Sequence, residues 1–293
     1  MNDNGDRRVA VVTGSSSGIG KETAKLLVAM GWHVIGTGRD PARSAAAEAE
    51  IQGCIANGGK LDFLRGDMAL MAQTKRLADE IKALTSRIDL LINNAGGVRD
   101  ARYVTSEGTE ETFTANHLAP FLLTRDLLPL LKAAAAAAGE PGEVRVLATS
   151  SLAYHSAPPF DWNDFQHLEG DFPATPVYCQ AKLMNALFSL ELAGRLEGDG
   201  IAVHTLVPGV VLTNFASHGD AAMQAYLKDA AGMTPAEVAE TAVWMATAPE
   251  TAMPSGRHFY DMQEQPIAPA ASDTASAQRL WAESERILAA LGY

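Results

Sequence analysis

Residues 11–20 read VVTGSSSGIG, a stretch that admits two readings. Gly14 to Gly18 form G-x-S-x-G, the elbow that presents a nucleophilic serine in hydrolases. The same letters form T-G-x-x-x-G-x-G, a glycine-rich turn suited to a dinucleotide pyrophosphate. Position decides between them. A hydrolase elbow borrows part of its oxyanion hole from an earlier strand–helix loop of the same sheet, and only one strand, 7–14, precedes Ser16. A phosphate-binding turn belongs after the first strand and at the mouth of the first helix, where these glycines stand. Gly14 then permits the turn, Gly18 lets backbone approach the phosphates, and Gly20 lets helix and strand pack closely. The helix N-terminus offers free N–H groups and a positive dipole end, and Ser15, Ser16 and Ser17 add hydroxyls.

Outward from this turn the chain alternates strand and helix. Strands are expected at 7–14, 32–39, 60–67, 87–97, 143–151, 200–209 and 256–262, and helices at 18–31, 41–59, 69–86, 176–198 and 273–291. One or two further helices fill 109–138, and two irregular stretches, 152–175 and 261–272, interrupt the pattern. Alternation implies a parallel sheet with helices on both faces, and the continuously apolar strands fit a sheet covered on both sides. The expected fold is therefore α/β: a single-domain, Rossmann-type doubly wound parallel sheet of about seven strands spanning 1–293. Residues 7–150 would be mainly the cofactor-binding half and 151–293 the catalytic and substrate-binding half.

The chain has 293 residues, 47% of them hydrophobic, enough to bury one large core. A net charge of −12 argues against a general nucleic-acid binder, which needs concentrated Lys and Arg. Two cysteines, Cys54 and Cys179, make no disulfide framework, and a reducing compartment fits. The start MNDNGDRR is polar and the apolar run after it is too short for a signal-peptide core or a membrane span. A cytoplasmic protein without a membrane span is expected, with self-association left open. The seven histidines show no metal-ligand spacing, so no metal is expected.

Tyr178 and Lys182 are four apart, which puts them on one helix face. A tyrosine is a poor acid–base catalyst at its ordinary pKa, and a nearby ammonium favours the phenolate. Such a pair can exchange a proton with an alcohol or carbonyl. The spacing Gly14-x3-Gly18-x-Gly20, with Asn93-Asn94-Ala95-Gly96, Ser150-Ser151, Tyr178-x3-Lys182 and Pro208-Gly209 following in order, resembles the short-chain dehydrogenase/reductase family. The stretches 116–124, 178–196, 203–214 and 256–288 look like its retinol-dehydrogenase branch. The resemblance spans about residues 8 to 291.

That resemblance implies a site. Asn116, Ser151, Tyr178 and Lys182 would be catalytic: Tyr178 as acid or base, Ser151 on the substrate oxygen, and Asn116 holding a water that relays protons through Lys182. Ser150 is the rival of Ser151, and the family's pattern selects the second serine. The cofactor would meet Gly14, Ser16, Ser17, Gly18, Ile19 and Gly20 at its pyrophosphate, Asp67 and Met68 at the adenine, and Asn93, Ala95 and Gly96 along its length. Pro208, Gly209 and Thr213 would lie against the nicotinamide, beside Tyr178 and Lys182. The second strand ends Thr37-Gly38-Arg39, without the acid that would bind a ribose 2′-hydroxyl. A guanidinium suits a 2′-phosphate, so NADP(H) is expected as cofactor, and Asp40 should cap the next helix. Some NADP-preferring members carry a second basic residue in the glycine turn; here that position is Ser17.

The expected reaction interconverts an alcohol and a carbonyl. An epimerase or dehydratase of the same fold and a non-catalytic NADP sensor are the alternatives; the first usually has G-x-x-G-x-x-G, the second would have lost Ser, Tyr or Lys. The insertion 157–176 leaves the sheet after Ser151 and returns before Tyr178. It should act as a lid whose Phe160, Trp162, Phe165 and Phe172 line an apolar substrate pocket, together with Phe215, Met223 and Tyr226; the alternative is that it packs on the surface or at a subunit contact. Cys179 should point elsewhere and pack. A bulky, mostly apolar small-molecule substrate is expected.

Overall fold

A computed structural model describes residues 7–213, 215 and 218–293. Most of the polar start (1–6) and Asn214, the end of the 203–214 stretch, lie outside the described residues. The chain runs β1 (Val9–Val12), α1 (Gly18–Ala29), β2 (His33–Gly38), α2 (Pro41–Gln52), β3 (Lys60–Arg65), α3 (Met71–Leu84) and β4 (Leu90–Asn93). A short α4 (Glu111–Phe113) passes through a π turn (Thr114–Leu118) into α5 (Ala119–Ala137). Then come β5 (Val144–Thr149), α6 (Ala174–Arg195), β6 (Ile201–Leu206), α7 (Ala221–Lys228) and α8 (Pro235–Thr247). The hairpin β7 (His258–Tyr260) and β8 (Gln263–Gln265) precedes α9 (Thr274–Ala290).

The strands form one sheet in the order β3-β2-β1-β4-β5-β6-β7-β8. All neighbours pair parallel except β7 and β8, which are antiparallel. The eighth strand exceeds the expected seven. It lies in the stretch read as irregular because Gln263–Gln265 has no apolar alternation. Its hairpin is closed by Asp261 and Met262, both at positive φ (47° and 55°), the conformation a tight two-residue turn requires.

Both sheet faces are covered, as the apolar strands imply. Along β1, Val9 and Val11 enter one core cluster with α3, α5, α6 and α9, while Ala10 and Val12 enter the other with α1 and α8. Alternate residues of a strand face opposite sides, so one continuous apolar run serves two layers. Helices α7 and α8 fall in 210–255, which the sequence reading left unassigned. The start of α8 was legible: Thr234 accepts from the Glu237 N–H at 3.3 Å and Glu237 accepts from the Thr234 N–H at 2.7 Å, a capping box with Pro235 in the first turn. Among the described residues no helix is long and apolar enough to cross a membrane.

Candidate active site

β1 has β2 on one side and β4 on the other, so the loops leaving β1 and β4 part at the sheet's carboxyl end. Open α/β sheets bind ligands in the crevice this creates. A cleft of about 1070 Å³ lies there. Its floor begins at the glycine turn, which is locked from within: the Ser15 hydroxyl donates to the Val12 carbonyl at 2.7 Å and its N–H to Thr37 at 2.8 Å. Ser16, Ser17, Gly18 and Ile19 remain on the cleft side at the N-terminus of α1. The Ser17 side chain makes no capping bond and is available to a ligand. Gly20 does not face the cleft. A Cβ there would stand 2.5 Å from the Gly14 carbonyl oxygen, so this glycine serves helix–strand contact.

The turn after β4 forms the next wall. Thr13 Oγ1 accepts from the N–H groups of Asn94 and Ala95, both at 2.9 Å, and Asn94 Nδ2 donates to the Thr13 carbonyl at 2.9 Å. Ala95 and Gly96 line the cleft; Asn93 does not. Its Nδ2 donates to Thr124 at 2.9 Å inside the core. Asn93 is thus a framework residue, and its neighbour Asn94, which the sequence reading passed over, lines the cleft and holds the turn. Gly96 permits a close approach, since a Cβ would lie 2.4 Å from Asn116 Oδ1 and 3.5 Å from Lys182 Nζ.

Asn116, Ser151, Tyr178 and Lys182 come together on this cleft. Asn116 sits in the π turn, where its Nδ2 donates to the carbonyls of Gly97 and Thr112, each at 2.8 Å. Single-turn π segments inside helices recur at functional sites. Ser151 follows β5 by two residues and its side chain acts on the Tyr178 phenol, favouring its ionised form. Lys182 Nζ donates to the Thr149 carbonyl at 3.2 Å and lies 5.6 Å from the Tyr178 ring centre. Burial pulls the Lys182 ammonium down to about 8. Burial also pushes the Tyr178 phenol up, against the pull of Ser151, so it holds its proton at neutral pH. Burial, not the expected pull of the ammonium, sets this proton. Ser150 also borders the cleft, but its hydroxyl is turned to the Lys182 carbonyl, to which it donates at 2.7 Å.

At the far end Arg39 lines the cleft with Arg43, Asp67 and Met68. Asp40 caps α2 as expected, accepting from the Arg43 N–H at 2.8 Å. Asp67 also closes its own turn, accepting from the Ala69 N–H at 2.9 Å. Pro208, Gly209 and Thr213 lie on the opposite rim, followed by Leu212, Phe215, Met223 and Tyr226. The residues present fit a dinucleotide: a turn with Gly14 and Gly18 at positive φ (71° and 56°), an uncapped helix start, and arginine at one end of a groove that closes on Tyr178.

Two further expectations are corrected. The aromatic residues of the insertion are absent from the cleft lining. Phe165 is buried in the core edge-on to Phe113 at 5.5 Å, Trp162 carries Arg279 over its ring at 4.7 Å, and Phe172 carries Arg102 at 5.8 Å. Gln180 donates to the Pro158 and Pro159 carbonyls at 3.1 and 2.9 Å, tying the insertion to α6. Cys179, expected elsewhere, lines the cleft beside Tyr178. His117 has no place at the chemistry: it is buried, with Nε2 2.8 Å from Ser284 Oγ. Among the described residues no group of His, Cys, Asp and Glu is arranged to hold a metal.

Comparison with known proteins identifies the family and the fold. Residues 8–159 match the short chain dehydrogenase family. Human "Retinol dehydrogenase 13" is 35% identical over 288 residues, covering 96% of this chain and 84% of that one. Mouse "Polyprenol dehydrogenase" is 33% identical over 290 residues, covering 97% and 85%. The crystal structure of an uncharacterized protein from Mycobacterium paratuberculosis superposes with a TM-score of 0.73 at 27% identity, covering 97% of this chain and 94% of that one. A 3-ketoacyl-(acyl-carrier-protein) reductase from Brucella melitensis, complexed with NADH, shares the fold (TM-score 0.67, 21% identity, 86% and 96% covered). The chain belongs to the short-chain dehydrogenase family, in its retinol-dehydrogenase-like branch, and is by that membership an oxidoreductase.

Proposed function

We propose that this protein is an NADP-dependent oxidoreductase that interconverts an alcohol and a carbonyl on a bulky, mostly apolar substrate. The observation that carries this reading is the meeting of Ser151, Tyr178, Lys182 and Asn116 at one end of a groove whose other end holds Arg39. When bound, the nicotinamide supplies or accepts the hydride. Ser16, Ser17, Gly18 and Ile19 would hold the pyrophosphate, Arg39 the 2′-phosphate, Asp67 and Met68 the adenine, and Pro208, Gly209 and Thr213 the nicotinamide end. Residues 7–150 mainly carry the cofactor and 151–293 the chemistry and substrate, with Asn116 and the Pro208–Thr213 loop crossing that division.

In the reducing direction Ser151 and Tyr178 donate hydrogen bonds to the carbonyl oxygen. Tyr178 holds its proton at neutral pH and passes it to that oxygen as charge develops. The Lys182 ammonium then stabilises the phenolate left behind. Asn116 Oδ1 and Lys182 Nζ flank the same point beside Gly96, where a water would return the proton. The substrate side of the cleft is apolar, built from Leu152, Leu212, Phe215, Met223 and Tyr226. Exposed Leu212 and Tyr226 (53% and 72%) leave that side unsatisfied without an apolar ligand.

The test is NADPH oxidation by the purified protein across aldehydes and ketones of increasing apolar size, with Tyr178→Phe beside it. Turnover should rise with apolar bulk and vanish in Y178F while NADPH binding persists. Turnover in Y178F close to the parent would overturn the mechanism.

A further inference from the structure

The cofactor reading rests on Arg39, yet Arg39 does not stand alone in the groove. Its Nη1 lies 3.4 Å from Glu111 Oε1 and 3.5 Å from Asp67 Oδ2, so the guanidinium reaches across the adenine end toward two carboxylates. Glu111 is the more constrained of the two. It opens α4, lines the cleft, and its Oε1 also accepts from Arg99 Nη2 in a short ion pair. Although burial works against it, the guanidiniums of Arg99 and Arg39 hold the Glu111 carboxyl below the usual carboxylate range. Arg43, also on the cleft, is balanced by Asp40 at 3.7 Å. Each arginine at this end of the groove therefore faces an acid, and the positive potential a 2′-phosphate needs is largely cancelled.

From this arrangement we infer that Glu111 is a specificity-determining residue: it competes with a 2′-phosphate for Arg39 and so sets how strongly the groove prefers NADP over NAD. The inference rests on the reading of Arg39 as the 2′-phosphate partner. A phosphate entering the seat takes Arg39 from Glu111 and adds negative charge beside it. A 2′-hydroxyl adds no charge, leaves Arg39 where it is, and can donate to Asp67 or Glu111. Arg99 works in the opposite sense. By pairing with Glu111 it absorbs part of the acid's charge, and without it Glu111 would hold Arg39 more tightly. The side chains at 99 and 111 thus tune selectivity without needing to touch the phosphate.

The experiment measures dissociation constants of NADPH and NADH by fluorescence for the parent, Glu111→Gln, Arg99→Met and Arg39→Ala, at low and high salt, with the melting temperature of each. E111Q should tighten NADPH about threefold to tenfold and change NADH less than about twofold, as expected for removing one partly screened charge. R99M should shift the ratio the other way. Both effects should shrink at high salt. A ratio unchanged in E111Q, or moved toward NADH, overturns the inference, as does R99M moving toward NADPH. R39A separates the two layers. If it weakens NADPH selectively while E111Q keeps the parental ratio, the role of Glu111 alone fails. If it leaves the ratio unchanged, the 2′-phosphate reading fails and this inference with it.

Discussion

The Ser150 hydroxyl donates to the Lys182 main-chain carbonyl at 2.7 Å, which ties the end of β5 to the middle of α6. Its neighbour Ser151 has the opposite orientation, toward Tyr178 and the cleft. Two adjacent serines on an extended segment must face opposite ways, so the Ser150 hydroxyl is spent on structure, while that of Ser151, which also accepts from the Ala153 N–H at 3.2 Å, faces the chemistry. Ser150→Ala should cost about 1–2 kcal/mol of stability, the worth of a buried hydrogen bond, while kcat/KM stays within a few-fold. Ser151→Ala, which loses only a cap on the turn at Ala153, should cost no more than about 1 kcal/mol and lower kcat about a hundredfold or more, as loss of an oxyanion donor does. Urea titration and steady-state kinetics on both variants check this; equal kinetic losses would mean that the two roles are not divided.

This division shows what the sequence could and could not tell. The doubled serine was visible, and so were the glycine turn, Tyr178-x3-Lys182 and the alternation of strands with helices, because apolar runs and glycine spacing reflect local backbone demands. The contacts of Asn93 and Asn94 were not separable, since which asparagine faces the core depends on where β4 ends. The insertion misled for a similar reason. Tethering at both ends was real, but aromatic residues satisfy a core as well as a pocket, and only the packing of Phe165 on Phe113 and of Trp162 beneath Arg279 shows which was filled. The ion pairs of Arg39 with Asp67 and Glu111 join residues 28 and 72 positions apart, as the numbering gives, and no local pattern announces them.

The pH dependence follows from Lys182. Burial lowers its ammonium to about 8 and raises the Tyr178 phenol. As pH rises, the first of the pair to change is therefore Lys182, which loses its charge near pH 8 while Tyr178 is still protonated. For carbonyl reduction, kcat/KM should be flat below that point and fall above it by about tenfold per pH unit. Lys182→Arg keeps the charge across this range; whatever activity it retains should lack the descending limb. A reduction rate that climbs through pH 8 would contradict the assignment.

Arg145 offers a test remote from the cleft. It is buried on β5 and donates to the carbonyls of Gly142 (2.7 Å), Met245 (2.7 Å) and Ala248 (2.9 Å) and to Thr251 Oγ1 (2.8 Å). Two of those carbonyls belong to the C-terminal end of α8, whose last turn has no intrahelical partners, so the guanidinium caps the helix onto the sheet. Burial pulls this guanidinium down to about 10, still charged at neutral pH. Arg145→Met fills the space but orphans several acceptors, each costing about 1–3 kcal/mol. A loss of at least about 3 kcal/mol in urea unfolding is expected, with the NADPH dissociation constant of the folded fraction unchanged. A loss below about 1 kcal/mol would show that water replaces the arginine.

The last prediction separates the insertion from the segment after β6. Phe165 is in the core, and Trp162 and Phe160 pack against it. Met223, Tyr226 and Leu227 belong to α7, a helix with no buried residue, and they line the cleft. An eight-residue helix with no buried residue has little stability of its own, so it should settle when an apolar ligand gives its apolar side a contact. Trp162→Ala with Phe165→Ala should therefore cost about 3–5 kcal/mol of stability, as aromatic core truncations do, with kcat/KM little changed at low temperature. Met223→Ala with Tyr226→Ala should do the reverse. The melting temperature of the free protein should barely move, while KM for a bulky apolar carbonyl rises about tenfold and that for a small one does not. Each methylene removed from ligand contact is worth about 0.8 kcal/mol, so the effect should grow with substrate size. If KM rises equally for large and small carbonyls, α7 shapes the site in general and does not select apolar bulk.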